Sequence, residues 1–171
     1  MLKEVESISR IQFQDCDPFG HLNNMRYIEY IMEARTDQLR NEYGFDTYRH
    51  ARQKERSWVV VRTKINYMHP ALYNEEVVIQ TRLIHFDKFR IVPEGVMMSL
   101  DRTKLHAVMW VEFAYFDIKT GRPQRHEDEM TDFLTSIKFE GLPYDPSLFD
   151  ARVSGIVKEF KEKQKSLSAA L

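Results

Sequence analysis

Two hydrophobic periods divide this chain. From residue 24 to about Tyr43, apolar positions recur at helical spacing: Ile28, Ile31, Met32, the stem of Arg35, Leu39 and Tyr43. Asn23 or Asn24 offers an N-cap and Gly44 a C-cap, so the pattern predicts one long helix of about 19 residues. Ahead of it, Val5, Ile8, Ile11 and Phe13 mark a first strand over residues 4–14. Behind it the period falls to two. Between Trp58 and Met68, the residues Val59, Val61, Ile65 and Tyr67 share one face, and Arg62, Lys64 and Asn66 take the other. Pro70 and Asn74 bracket a turn. A strand over 76–86 carries Val77, Val78, Ile79, Leu83, Ile84 and Phe86. Asp87-Lys88 connects it tightly to Phe89–Leu100, where Pro93 and Gly95 suggest a bulge or an edge position. After a turn at 101–104, Leu105, Ala107, Met109, Val111, Phe113 and Tyr115 alternate over the longest strand, closed at Asp117–Gly121.

The predicted order is strand, long helix, then four strands in a meander. Short turns between consecutive strands imply an antiparallel sheet, with one helix available to cover a face, which is an α+β fold. From Pro146 a second helical pattern appears (Phe149, Val153, Ile156, Val157, Phe160), and its charged, then small, terminal run is expected to fray. Residues 1–142 are read as the domain and 143–171 as a C-terminal helical arm.

With 171 residues and 43% hydrophobic composition, one domain with a real core is expected. Twenty-five Lys and Arg against 26 Asp and Glu leave a net charge of −1, which gives no electrostatic case for nucleic acid or an anionic membrane. The lone cysteine, Cys16, excludes an intrachain disulfide framework and fits a reducing compartment. The opening Met-Leu-Lys-Glu-Val-Glu is too polar for a signal peptide, and no apolar run approaches the roughly 20 residues of a membrane span. A cytoplasmic globular protein is expected.

Candidate chemistry concentrates in residues 15–33. Asp17 precedes a Pro-Phe-Gly turn, polar His21, Asn23 and Asn24 follow, and the helix then begins. A carboxylate thus falls near exposed amides at a helix start, where partial positive charge favours a developing anion. A base or nucleophile beside such a site is the minimum apparatus for acyl transfer. No Gly-rich phosphate loop and no Gly-x-Ser-x-Gly elbow is present. His50, His69, His85, His106 and His126 lack metal-ligand spacing, so no metal and no cofactor are expected.

The run Asp15-Cys16-Asp17-Pro18-Phe19-Gly20-His21-Leu22-Asn23-Asn24, with Tyr27 after it, resembles the D-x-D-x-x-G motif of acyl-CoA thioesterases of the hydroxybenzoyl-CoA thioesterase type. It is also similar to plant-type acyl-carrier-protein thioesterases, which place an Asp four residues before the His of His-Val-Asn-Asn. Asp17 and His21 keep that spacing, but Phe19 and Gly20 stand where that family has Asn and Gln. The resemblance covers roughly residues 5–135. It implies the hotdog fold, an antiparallel sheet wrapped around one long central helix, here with an extra C-terminal helix. It also implies hydrolysis of an acyl thioester carried by coenzyme A or acyl-carrier protein.

In that chemistry Asp17 activates water or attacks the carbonyl directly, and His21 assists or positions water. The amides of Leu22, Asn23 and Asn24, with Tyr27, polarise and position the carbonyl. Each residue also has a structural role to weigh: Asp17 as a turn former, His21 as a hydrogen-bonding fixture, Asn23 and Asn24 as caps. Asp15 reads as structural. Cys16 points away from Asp17, and its nucleophile reading is weak. Met97, Met98, Met109 and Met130 read as core fillers or acyl-pocket residues. Of Arg62, Lys64, Lys88, Arg90, Arg102 and Lys104, a few are expected to meet coenzyme A phosphates.

Edge exposure and one poorly covered face suggest a homodimer or tetramer, motivated by the apolar strand at 105–116. Its site is expected to face the partner's strand near Tyr67, Met68 and His69. The alternatives are a non-catalytic acyl-thioester sensor, a dehydratase of the same fold (whose His-Phe-Pro-Gly motif is missing) and a purely structural module.

Overall fold

The computed structural model describes residues 1–169, the last four as backbone. The terminal residues on which fraying is expected include 170 and 171, which lie outside the described residues. Five strands, β1 (Glu4–Arg10), β2 (Arg56–Tyr67), β3 (Glu76–Phe86), β4 (Arg90–Ser99) and β5 (Leu105–Asp117), form one antiparallel sheet in the order β1-β3-β4-β5-β2. Four helices accompany them: α1 (Asn24–Tyr43), α2 (Thr47–Lys54), α3 (Asp128–Ile137) and α4 (Phe149–Ala169). The sheet wraps α1, which is the hotdog architecture with a C-terminal helix added.

The long helix forms where its pattern predicts. The Asn23 side chain caps it by accepting from Met25 N at 3.0 Å. At the other end Gly44 takes φ 67, and Phe45 N donates to Leu39 O at 3.0 Å. Tyr27, Ile31 and Ala34 bury the inner stripe of α1 against Ile79, Met97, Met109 and Val111. Close approach depends on Gly95, because a Cβ there would lie 2.3 Å from Ile31 Cγ2.

The sheet departs from the predicted meander. Only β3, β4 and β5 follow one another; β2 crosses to the far side and pairs with β5, Tyr67 opposite Ala107 and Arg56 opposite Asp117. The crossing segment 68–75 prolongs the β2–β5 ladder through Met68 N→His106 O (2.9 Å) and His69 N→Leu105 O (3.1 Å). It then passes over the start of α1, where Leu22 N donates to Ala71 O at 2.8 Å. A bulge at Val61 also overturns the single-face reading of β2. Val59 lies opposite Ala114, on the same face as Arg62 and Glu112, while Ile65 and Tyr67 pack inward. Nor does β4 break at Pro93. It is an interior strand, and the irregularity falls on β3 between Leu83 and His85, beside the missing proline donor.

The sheet's outer face, expected to be poorly covered, is covered by α4. Phe149, Val153, Ile156 and Phe160 recur along one side of that helix and close over Val96, Val108 and Trp110. Two helices were not anticipated. α2 is eight residues long, strongly polar and buries no residue, so its sequence shows no apolar stripe. α3 buries Met130, Leu134 and Ile137 against Leu83.

Candidate active site

Asp17 sits half-buried in the turn before α1. Its Oδ1 accepts from Phe19 N at 2.9 Å and His21 N at 3.1 Å. Asp17 N donates to His21 O at 2.8 Å, and Gly20, at φ 78, returns its N–H to Asp17 O at 3.0 Å. The turn-forming role is thus filled by one carboxylate oxygen. Among the described residues Oδ2 has no hydrogen-bond partner, so it keeps its lone pairs for a proton or a carbonyl carbon.

The helix-start amides divide. Leu22 N is taken by Ala71 O, and Asn23 N donates to Asp15 O at 2.9 Å. The Leu22 side chain is core, 2% exposed. These two amides are therefore closed to a substrate, contrary to the expectation of three open donors. Asn24 N is the remaining donor of the three and has no partner among the described residues. It stands at the positive end of a 20-residue helix.

The neighbours hold this helix start in place. Tyr67 Oη donates to Asn24 O at 2.8 Å, and Tyr27, buried under it, accepts from Ala71 N at 2.9 Å. The two rings meet edge to face at 5.3 Å. Tyr67 therefore reaches the helix start of its own protomer. Met68 and His69 spend their amides on the β5 ladder. Asp15 is structural, as expected: Oδ2 accepts from Tyr30 Oη at 2.8 Å, and Oδ1 lies 3.4 Å from Arg26 Nε. Burial pushes the Tyr30 hydroxyl up to about 12. Cys16 donates its Sγ proton to Gln12 O at 3.4 Å, and burial, then the charges of Asp15 and Asp17, raise its pKa. A raised thiol is a poor nucleophile at neutral pH.

One residue of this neighbourhood escaped sequence reasoning. His106 is fully enclosed, its Nδ1 2.9 Å from His69 O and its Nε2 3.2 Å from Glu75 Oε1. The other Glu75 oxygen accepts from Leu72 N at 2.8 Å. His106 and Glu75 thus brace segment 69–75, against which His21 and Leu22 dock. The alternation of β5 puts His106 on the face opposite Leu105 and Ala107, so nothing in the sequence marks it as enclosed. Four of the six basic candidates for phosphate contact are spent within the chain: Arg62 and Arg90 on Glu112, Lys64 on Pro146 O, Arg102 on Glu6. Lys88 and Lys104 remain. No group of three His, Cys, Asp or Glu side chains is placed to hold a metal among the described residues.

An apolar cavity of about 390 Å³ opens farther along α1, lined by Met32, Arg35, Leu39, Trp58, Leu83 and Phe113 among others. Neither Asp17 nor His21 of the same protomer lines it.

A helix-wrapping antiparallel sheet with an acidic turn at the helix start defines a class, and the thioesterase-like superfamily profile matches residues 11–134. The chain belongs to that superfamily. Among proteins it resembles, the long-chain acyl-CoA thioesterase FadM of Escherichia coli K12 is 28% identical over 118 residues, 69% of this chain and 87% of that one. A probable thioesterase structure from Escherichia coli superposes with TM-score 0.67 at 25% identity, covering 78% of this chain and 98% of that chain. A 1,4-dihydroxy-2-naphthoyl-CoA thioesterase from Synechocystis shares the fold (TM-score 0.71, 10% identity, 78% of this chain and 97% of that one). No helix among the described residues is long and apolar enough to cross a membrane.

Proposed function

We propose that this thioester hydrolase cleaves acyl-CoA thioesters to a free acid and coenzyme A, with Asp17 as the reacting carboxylate. The observation that carries the reading is the division of labour within Asp17. Oδ1 is pinned by two amides while Oδ2 stays open, beside a helix start whose Asn24 amide is also open. In the reaction a water oxygen bonds to the carbonyl carbon and the C–S bond breaks. Asp17 takes the water proton and passes it to the departing thiolate. In the covalent variant Asp17 attacks first, and water then opens the mixed anhydride. The Asn24 N–H stabilises the carbonyl oxygen as it gains charge. A thiolate leaves readily, so His21 is assigned to water positioning and not to strong acid catalysis. The acyl-CoA carrier follows the named activity of the Escherichia coli relative.

The complete site is assigned to a homodimer paired through β2, with a tetramer as a further step. The motive differs from the sequence argument, because β5 lies inside the sheet and β2 is the apolar edge. Val59, Val60 and Val61 are each about half exposed (49%, 49% and 50%). Antiparallel self-pairing about the middle of β2 sets the Tyr67 end of one protomer beside the Trp58 end of the other. Asp17 belongs to the first end and the apolar cavity to the second, which explains why neither protomer alone unites them. The catalytic unit is assigned to residues 1–142, with 143–171 as the covering arm. A cytoplasmic setting is also proposed, on the strength of the free thiol.

The test is a hydrolysis panel of straight-chain, branched and aryl CoA thioesters, with matched acyl-carrier-protein esters, followed with a thiol reagent. Release of thiol from CoA esters is expected. Tight binding without thiol release would instead make the protein a sensor.

A further inference from the structure

Arg35 is the one charged residue in a mainly apolar cavity wall among the described residues. It belongs to the inward side of α1, between Met32 and Leu39. Its Nη1 donates to Thr81 Oγ1 at 3.2 Å, and the Tyr43 hydroxyl, which donates to Leu2 O at 3.0 Å, favours the charged guanidinium. Both are neutral. No carboxylate lies within ion-pairing distance among the described residues, although the Arg10, Arg26, Arg40, Arg56, Arg62, Arg82, Arg90, Arg102 and Arg152 side chains each have one. Burial lowers the Arg35 pKa, and only Tyr43 works against that. A guanidinium keeps its charge, and holding it half-buried without a counter-ion is costly. Its remaining N–H groups are not closed off by protein, since among the described residues no fully buried side-chain nitrogen lacks a partner. They therefore keep accessible surface, on a residue that lines the cavity.

We propose that this cavity binds an apolar molecule bearing a carboxylate, which pairs with Arg35 while its hydrocarbon body lies along Met32, Leu39 and Phe113. Two sources share that chemistry. The carboxylate is the far end of an acyl group still held as a thioester, so that the substrate is the monothioester of a dicarboxylic acid. Otherwise it belongs to a free fatty acid, the product class of the hydrolase reading. Only the assignment of source rests on that reading.

The experiment titrates the full-length protein at neutral pH with decanoic acid and with decanol, following the fluorescence of Trp58 on the cavity wall. The wild type is expected to bind the acid at least about tenfold more tightly, as a charge-assisted bidentate pair requires. Arg35→Leu should bring the two ligands within about twofold, and Arg35→Lys should fall between. Leu39→Trp, which fills the cavity, should weaken both. Circular dichroism melts establish folding, and if Arg35→Leu does not fold, Arg35→Lys decides. Equal binding of acid and alcohol by the wild type, an undiminished preference in the deciding variant, or full binding by Leu39→Trp overturns the assignment. Two hydrolysis arms separate the sources. Faster cleavage of carboxydecanoyl than of decanoyl thioester assigns the carboxylate to the substrate, whereas competitive inhibition of decanoyl cleavage by decanoate assigns it to the free acid. A protein that binds the acid selectively yet releases no thiol contradicts the hydrolase reading and leaves this site standing. One that hydrolyses thioesters without distinguishing acid from alcohol does the reverse.

Discussion

Glu94 shows how single residues hold this molecule together. The side chain is fully enclosed beneath α4, and its oxygens accept from Arg82 Nε at 2.9 Å, Arg152 Nε at 3.0 Å and Trp110 Nε1 at 2.7 Å. Burial works to raise its pKa, but Arg152, Arg82 and Trp110 outweigh it, and the carboxyl ends below its ordinary range. Replacing Glu94 leaves Arg152 charged without its carboxylate, Arg82 with Glu4 alone, and the Trp110 N–H facing a neutral group. Glu94→Gln is therefore expected to cost about 3–5 kcal/mol in urea unfolding. The sign with pH follows from the depressed value: the contribution is complete above the ordinary carboxylate range and is lost as pH falls toward the folded-state value. The variant should accordingly show a flatter acid limb than the wild type. Asp17 was legible in the sequence because its turn is local, made by residues two and four positions away. Glu94 and His106 were not, because their partners lie tens of residues distant, and an interior charge on a strand reads as a surface residue until the covering helix is known.

At the scale of elements, legibility followed the strength of the local signal. α1 carries a cap at each end and a continuous inner stripe, so its limits fell where the pattern set them. α2 has a cap, with Asp46 accepting from Arg49 N at 2.9 Å, but no apolar stripe. The β2 reading failed for two physical reasons. One extra residue at Val61 reverses the face of everything after it, and pairing between distant strands leaves no trace in their alternation. The start of α1 also yields a prediction. Asn23→Ala removes the side chain that satisfies Met25 N, and should cost about 1 kcal/mol in thermal or urea unfolding. If the Asn24 amide serves the substrate, hydrolysis should fall through kcat by more than the lost fraction of folded protein explains.

The whole molecule is organised around two covered faces and a sheet with two edges, β1 and β2, of which β2 is the more apolar. α1 fills the inner face and α4 the outer, which leaves β2 as the exposed apolar margin. A charge placed there meets its own symmetry copy in a paired edge. Val60→Lys should convert a dimer to a monomer by light scattering, with an unchanged melt at low protein concentration and lost turnover. A monomeric wild type, or a Val60→Lys dimer of full activity, would place the complete site elsewhere. The hydrolase reading itself is tested most directly by comparing kcat for acyl-CoA hydrolysis in the wild type and in Asp17→Asn. Asparagine keeps an oxygen for the Phe19 and His21 amides, so the turn and the melt should persist. Turnover should fall by about 10²–10⁴-fold. An Asp17→Asn protein that is folded and hydrolyses at the wild-type rate would contradict the account.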